Sequence, residues 1–253
     1  MVYCLEDVSK VKDIFAGWED TCVWSCLQKV MGTILVTDRS APKSAIAYVG
    51  CFVFCAGEPS EELLYHKPEG FCILVPENEQ WSALIEKCFT DCKRVTRFAI
   101  KKDAKFDREK LERIAAHIPE GYELRRIDGE LYDICLTSPD TREFVACFES
   151  KEQFLALGRG FVLVKDGHIV SGASSYSRYR EGIEIEVDTV EEEQRKGFAR
   201  ICCAALILSC LSDGLYPNWD AANRISVHLA ETLGYEFSHE YPAYEVEPTK
   251  RTH

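Results

Sequence analysis

Hydrophobic and polar positions alternate most regularly at residues 183–189, in the second half of the chain. Isoleucine and valine fill every other position, and Glu184, Glu186 and Asp188 lie between them. This period of two predicts a strand with one buried face and one acidic face. The almost unbroken apolar run at residues 197–211 follows a short polar stretch, and its length predicts a buried helix.

The same patterns predict helices and strands along the whole chain. Further helices are predicted at residues 8–18, 19–30, 76–92, 107–116, 142–157 and 221–233, the last ending before Gly234. Further strands are predicted at residues 32–37, 44–55, 70–75, 94–100, 122–127, 131–135, 161–164, 168–176, 235–238 and 243–246. Asp128-Gly129 and Asp166-Gly167 predict hairpin turns, because this dipeptide readily adopts the tight turn between two paired strands.

A turn signal near the middle of the chain predicts the domain organisation. Ser138-Pro139-Asp140 combines residues that favour turns. We therefore expect an N-terminal α/β domain at residues 1–137 and a second domain at residues 138–253. No linker-like composition marks the boundary, so we expect the two parts to pack closely.

The charge of the chain limits the kinds of molecule that it is expected to bind. Lysine and arginine total 30 against 42 aspartates and glutamates, a formal net charge of −12. A surface that binds nucleic acid needs an excess of basic groups to displace counterions, so we expect no nucleic-acid partner. The acidic balance agrees better with a cationic or neutral small molecule.

Thirteen cysteines are present without a C-x-x-C pair, and the histidines have no metal-like spacing. We therefore expect reduced thiols used as small apolar side chains and no bound metal. The first residues have neither a basic start nor an apolar signal region, which predicts a cytoplasmic protein. The longest apolar stretches are too short to span a bilayer, so no membrane association is expected. The oligomeric state cannot be read from these features.

The segment after the acidic strand has the composition of an anion-binding site. Residues 191–193 are glutamates, for which we expect a solvated loop, and Gln194-Arg195-Lys196-Gly197-Phe198-Ala199 opens the apolar helix. The first N–H groups of a helix have no intrahelical partner and lie at the positive end of its dipole. Glycine allows close approach, and Arg195, Lys196 and Arg200 add positive charge. The segment suits a pyrophosphate.

The Q-x-x-G-x-A spacing of this segment resembles motif A of the GNAT superfamily of acyl-CoA-dependent N-acetyltransferases. Further on, Trp219-Asp220-Ala221, Asn223, Ser226 and Leu233-Gly234-Tyr235 are similar to motif B of that superfamily. The two motifs occur in the expected order and at the expected distance. The residues and spacing of the second motif resemble those of the zwittermicin A resistance protein family within GNAT. The resemblance covers residues 144–246.

The resemblance implies an α+β fold: a GNAT-like domain with a central, mostly antiparallel mixed sheet flanked by helices, after a smaller α/β N-terminal domain. It implies acetyl-CoA as cosubstrate, held where strand 183–189 separates from the next strand, expected near residues 235–238. It places the pantetheine arm against the backbone of Val187, Asp188, Thr189 and Val190. The residues that it assigns to the pyrophosphate are Gln194, Arg195, Lys196, Gly197, Phe198, Ala199 and Arg200. It places Asn223 and Ser226 on the far side of the arm.

The implied reaction is direct acetyl transfer to the amine of a small polar molecule, an antibiotic or a metabolite. An alkylammonium must first lose a proton, and Glu184 and Glu186 are the candidate bases, with Glu184 slightly preferred. Many GNAT enzymes protonate the leaving thiolate with a tyrosine, but Ala230 stands at that position here. Ser226, Tyr241 or Tyr244 are candidate replacements, or no acid is needed.

Two other functions stay open on the sequence. A non-catalytic acyl-CoA-binding protein would keep the same motifs, and the absent tyrosine agrees with it. A hydrolase or nucleotide-binding α/β protein could use the same phosphate site, but the chain lacks both G-x-x-x-x-G-K-[ST] and G-x-G-x-x-G.

Overall fold

A computed structural model of the protein describes residues 1–248. Its helices are α1 (Thr21–Gln28), α2 (Glu61–Tyr65), α3 (Glu79–Cys88), α4 (Arg108–Ala116), α5 (Gly129–Thr137), α6 (Lys151–Leu157), α7 (Phe198–Ser212) and α8 (Arg224–Leu233). Its strands are β1 (Tyr3–Cys4), β2 (Thr33–Val36), β3 (Ser44–Val49), β4 (Phe52–Gly57), β5 (Cys72–Pro76), β6 (Lys93–Ile100), β7 (Tyr122–Arg126), β8 (Gly160–Lys165), β9 (His168–Tyr179), β10 (Gly182–Thr189), β11 (Tyr216–Asn218), β12 (Asp220–Ala221) and β13 (Phe237–Val246). Short 3₁₀ helices lie at Val8–Val11, Arg142–Phe144 and Glu191–Glu193.

The chain forms two compact units. One contains Met1–Arg97 and the chain from Glu240 onward, and the other is Phe98–His239. These units do not coincide with the predicted domains at 1–137 and 138–253. The difference arises because β7 pairs along its length with β8 and α4 packs against α7, which places residues 98–137 in the second unit. A turn signal marks a local reversal of the chain, whereas strand pairing at long sequence separation sets the compact unit.

The first unit is built on a sheet in the order β1-β2-β3-β4-β5-β13. Neighbouring strands are antiparallel except β4 and β5, which are parallel. Its core contains the fully buried Trp81, whose indole N–H donates to the carbonyl of Gly57 at 2.9 Å, and the fully buried Tyr244. This packing makes Tyr244 a core residue of the first unit.

The second unit contains a five-stranded sheet in the order β11-β10-β9-β8-β7. All pairs are antiparallel except β10–β11, which is parallel. The apolar face of β10, with Ile183 and Ile185, joins a core with buried residues of α7, among them Cys202 and Leu206. The α+β class and the mostly antiparallel mixed sheet are confirmed.

Several local predictions are also confirmed. Asp166 (φ 50°) and Gly167 (φ 80°) form the tight turn between β8 and β9. Gly234 ends α8 at φ 110°, a left-handed conformation that favours glycine. No helix within residues 1–248 is long and apolar enough to cross a membrane.

The predicted strand at residues 131–135 is wrong, because those residues lie in α5. Asp128 begins the helix instead of forming a hairpin turn: its Oδ1 accepts hydrogen bonds from the backbone N–H groups of Glu130 (3.1 Å) and Leu131 (2.9 Å). An aspartate side chain in this role satisfies helix N–H groups that have no backbone partner. The dipeptide alone did not distinguish the two structures.

Five other predicted elements differ clearly in extent from those of the structure. The predicted strand 44–55 is the hairpin β3–β4, which reverses at Gly50 with φ 55°. Of the predicted helix 8–18, the structure forms only the 3₁₀ helix at its start, and helix 142–157 is interrupted before α6. The predicted strands 235–238 and 243–246 fall largely in the single strand β13.

Candidate active site

The loop between β10 and α7 has a backbone shape that few residues adopt. Arg195 has φ 62° and Gly197 has φ 85°, both in the left-handed region. A Cβ on Gly197 would meet no atom within 4 Å, so the space in front of this residue is open and the glycine is required by its φ angle rather than by crowding. The loop therefore exposes its backbone where α7 begins.

The backbone N–H groups at the start of α7 indicate an anion-binding site. Among the hydrogen bonds of residues 1–248, none is donated by the N–H groups of residues 195–200. The first such bond runs from Ile201 to the carbonyl of Gly197, at 3.3 Å. The side chains of Arg195, Lys196 and Arg200 are not buried. Unpartnered N–H groups and positive side chains at a helix start favour a phosphate group.

Glu193 is not part of a solvated loop. Its side chain is only 12% exposed and accepts hydrogen bonds from the hydroxyl of Tyr122 (2.9 Å) and from Lys196 Nζ (2.6 Å). Lys165 Nζ lies 3.5 Å from the other carboxylate oxygen and donates to the hydroxyl of Tyr122 at 3.2 Å. The hydrogen bond from Lys196 lowers the pKa of Glu193 below its usual value. These contacts tie the loop to β7 and β8.

The strands β10 and β11 separate after three residue pairs. Glu184 opposite Asn218 is the last pair, and β10 continues alone on this edge to Thr189. The predicted separation from residues 235–238 is therefore wrong, since the neighbour of β10 is β11. This strand was missed because three residues are too few to show a periodic pattern.

Glu184 and Asn218 contact each other at the point of separation. Both are buried, at 8% and 4% exposure, and Asn218 Nδ2 donates to Glu184 Oε2 at 2.5 Å. Glu186 lies on the same face of β10 and is half-buried, and Asp188 is exposed. The structure thus places one candidate base in the interior and the other closer to solvent. Sequence reasoning missed Asn218, whose only signal was a polar residue between Pro217 and Trp219.

Comparison with known proteins identifies the family. Residues 12–244 match the family model described as GNAT acetyltransferase. The chain belongs to this family.

Similar proteins support the assignment of this acetyltransferase. It is 44% identical to a GCN5-related N-acetyltransferase-like protein from Streptococcus suis 89/1591, whose crystal structure it matches with a TM-score of 0.90 over 95% of this chain and 98% of that chain. It is 25% identical over 239 residues to the uncharacterized N-acetyltransferase YdfB of Bacillus subtilis (strain 168), covering 88% of this chain and 89% of that protein. A GCN5-related N-acetyltransferase from Kribbella flavida shares the fold, with a TM-score of 0.56 at 13% identity over 94% of this chain and 98% of that chain.

In this acetyltransferase, part of the backbone predicted to hold pantetheine has partners within the protein. The N–H of Val190 donates to Val170 at 3.0 Å, and its carbonyl accepts from Glu193 at 2.9 Å. The carbonyl of Thr189 accepts from Gln194 Nε2 at 3.1 Å. The N–H of Val190 therefore already donates a hydrogen bond within the protein. Contacts of the pantetheine arm with Val187, Asp188 and Thr189 stay a prediction.

Asn223 and Ser226 lie together at the start of α8, as their spacing predicts. Asn223 Oδ1 accepts from the backbone N–H of Ser226 at 2.9 Å, which caps the helix. The hydroxyl of Ser226 accepts from the indole N–H of Trp219 at 3.0 Å. Both side chains thus have a structural function, and their contact with the cofactor stays a prediction.

Tyr244 does not fit the predicted role of proton donor. It is fully buried in the core of the first unit, and its hydroxyl donates to Glu86 Oε1 at 2.7 Å. Burial raises the pKa of this hydroxyl. Ala230, at the family's tyrosine position, is also fully buried and offers no proton.

The described residues contain no cluster that could hold a metal ion, and the two adjacent cysteines of α7 are buried thiols. Within residues 1–248, no group of three or more histidine, cysteine or acidic side chains could hold a metal ion. Burial raises the pKa of Cys202 to about 12, so this thiol stays protonated at neutral pH. Cys203 is fully buried, and its pKa is raised by the same cause.

Proposed function

We propose that this acetyltransferase transfers the acetyl group of acetyl-CoA to the amine of a small polar molecule. The observation that carries the proposal is the combination of unpartnered N–H groups at residues 195–200, at the start of the α-helix that follows β10, with the separation of β10 from β11 after Glu184. A cofactor with a diphosphate and a long amide-containing arm matches this combination. The free edge of β10 offers backbone groups to the arm, and the start of α7 offers N–H groups to the diphosphate.

The cofactor is bound chiefly through backbone groups. Gly197 allows the diphosphate to approach the chain, and Arg195, Lys196 and Arg200 neutralise its charge. Glu193 and Gln194 are loop residues whose side chains bond to other parts of the protein, to Tyr122 and to Thr189. We assign them to holding the loop rather than to contacting the phosphates.

Acyl transfer needs a neutral amine. An alkylammonium with a pKa near 10.4 is deprotonated in about one molecule in 2,500 at pH 7, equivalent to about 4–5 kcal/mol. A glutamate of β10 accepts this proton, directly or through one water molecule. The nitrogen lone pair then attacks the thioester carbonyl, and the carbon–sulfur bond breaks with its electrons on sulfur. The nitrogen gives up its second proton, directly or through water, to the departing thiolate, so the products are the N-acetylated amine and coenzyme A.

Glu184 is assigned as the base, with Glu186 as the alternative. Glu184 lies at the strand separation and is held by Asn218, so its carboxylate has a defined position. Glu186 is more exposed, so its carboxylate is better solvated. The departing thiolate has an ordinary pKa near 8.5 and leaves without a protein acid. The alternative is that the Ser226 hydroxyl relays to the thiolate the proton that the nitrogen releases.

The acceptor is a small polar amine, an antibiotic or a metabolite, and we propose that the enzyme acts in the cytoplasm. The net charge of −12 favours a cationic acceptor, and the acidic face of β10 agrees with it. The resemblance of the second motif to the zwittermicin A resistance proteins supports an antibiotic as one class of acceptor.

The alternative is a protein that binds acyl-CoA without turnover, which the alanine at position 230 would permit. Calorimetric titration with acetyl-CoA, followed by a thiol-release assay across a panel of amines, tests both. We expect binding and amine-dependent release of coenzyme A. Binding without release for any amine supports the alternative, and no binding contradicts both.

A further inference from the structure

We infer that Asn218 is a positioning residue that holds the carboxylate of Glu184 in the orientation and the ionised state needed to accept the proton of the acceptor. The inference rests on the proposed function, since it requires Glu184 to be the base. It adds a residue that neither of the two sequence motifs contains.

Asn218 occupies a special place on the sheet. It is the last residue of β11 and pairs with Glu184 in the last parallel pair before the strands separate. Both side chains lie below 9% exposure. The amide is thus at the inner end of the opening that would receive the thioester, 34 positions away in sequence from the carboxylate that it contacts.

The two residues that flank Asn218 are fixed by hydrogen bonds from the other side. The carbonyl of Pro217 accepts from the hydroxyl of Tyr235 at 2.6 Å, and the indole of Trp219 donates to Ser226 at 3.0 Å. Trp219 and Tyr235 also pack edge to face, with centroids 5.6 Å apart. These contacts with Ser226 of α8 and with Tyr235, two residues after that helix, leave the amide of Asn218 little freedom. It also explains what Trp219 and Ser226 do in the second motif.

The hydrogen bond opposes the effect of burial on Glu184. Removing a carboxylate from water favours its protonated form, whereas an N–H donor favours the charged form. A protonated Glu184 cannot accept a proton from the acceptor. Asparagine at position 218 supplies the donor without adding a charge, which an aspartate could not do.

The groups around Glu184 do not titrate near neutral pH in its place. Tyr179 on β9, Tyr216 on β11 and Tyr235 interact with it electrostatically, and burial raises the pKa of each tyrosine. The 3₁₀ helix Arg142–Phe144 also packs near β10, and its exposed Arg142 and Glu143 approach each other at 3.9 Å. The other acidic side chains on this face of β10 are the half-buried Glu186 and the exposed Asp188. The experiment separates Glu186, which is nearer to Glu184 along the strand, by mutation.

The test is the pH dependence of kcat/KM for Asn218→Ala. We expect the acidic limb to move upward by at least one pH unit, so that the rate at pH values below the wild-type limb falls about tenfold and recovers at higher pH, with KM for acetyl-CoA within about twofold of wild type. Asn218→Asp, which adds a like charge, should move the limb further. Asn218→Ser, which keeps a donor, should move it less and replaces the alanine variant if that one fails to fold.

A double-mutant comparison distinguishes positioning from general damage. In the Glu184→Gln background, Asn218→Ala should leave the residual rate unchanged, whereas in Glu186→Gln it should still move the limb. An unchanged pH profile in both Asn218→Ala and Asn218→Asp, or an equal loss of rate with and without Glu184, would overturn the inference. Failure of the proposed function would differ, because the wild-type protein would then release no coenzyme A with any amine.

Discussion

The hydroxyl of Tyr122 donates a hydrogen bond to the carboxylate of Glu193 at 2.9 Å, across 71 positions of sequence. Tyr122 belongs to β7, at the edge of the sheet, and also contacts Phe198, the first residue of α7, with ring centroids 4.6 Å apart. The edge strand therefore holds the middle of the loop that presents the anion site and the first residue of the helix that follows it. A loop with the non-glycine Arg195 in a left-handed conformation requires such support, because that conformation is unfavourable by itself.

Glu193→Gln should weaken the binding of acetyl-CoA by disturbing the site of the diphosphate. It should leave the binding of the pantetheine arm unchanged. We expect KM for acetyl-CoA to rise about tenfold, because the loop is less well held, with kcat at saturation within about twofold. The KM for S-acetylpantetheine, which lacks the diphosphate, should not change. Glu192→Gln, at an exposed neighbour, is the matched control. An equal rise of KM for both acetyl donors would contradict this function of Glu193.

The contribution of Glu193 to stability should depend on pH. Its pKa is lowered in the folded protein, first by the hydrogen bond from Lys196. The folded state therefore prefers the charged form, so the stabilisation is present above the unfolded pKa and is lost as pH falls below about 4.5 toward the folded value. The difference in Tm between wild type and Glu193→Gln should be largest at pH 6–7 and shrink below pH 4. A difference in Tm that does not vary with pH would refute this linkage.

Gly197→Glu should abolish binding of acetyl-CoA, since it places a side chain and a negative charge where the diphosphate would lie. Gly197→Ala is the control. Its Cβ meets no atom within 4 Å, so it should cost only the strain of φ 85°, about 1 kcal/mol of stability, and keep part of the binding. Calorimetry with acetyl-CoA measures both variants. Wild-type affinity in Gly197→Glu would refute the position of the diphosphate.

Glu184→Gln and Glu186→Gln should separate the base from its neighbour. The variant that removes the base should lose about 10²–10⁴-fold in kcat while binding acetyl-CoA normally, and we expect this variant to be Glu184→Gln. Glu186→Gln should keep most of the turnover. Thiol release and calorimetry on the same preparations measure the two quantities. The reverse result would transfer the role of base to Glu186.

Much of the candidate site follows from local sequence. The alternation at residues 183–189, the apolar run that becomes α7 and the glycines at 197 and 234 each express a preference that acts over a few residues. Periodicity, capping and left-handed φ angles are properties of short segments. The structure therefore shows them wherever no contact between distant residues favours a different local conformation. The same reasoning failed at Asp128, because an aspartate before a glycine suits both a hairpin turn and a helix start.

Other parts depended on the tertiary structure. Asn218 meets Glu184 only because β11 pairs with β10, and Tyr122 meets Glu193 only because β7 pairs with β8. Tyr244 is buried against Glu86 because β13 pairs with β5 in the first unit. Each contact joins residues that are 34, 71 or more positions apart. Which distant strands become neighbours depends on how all the apolar faces are buried together, and no short segment carries that information.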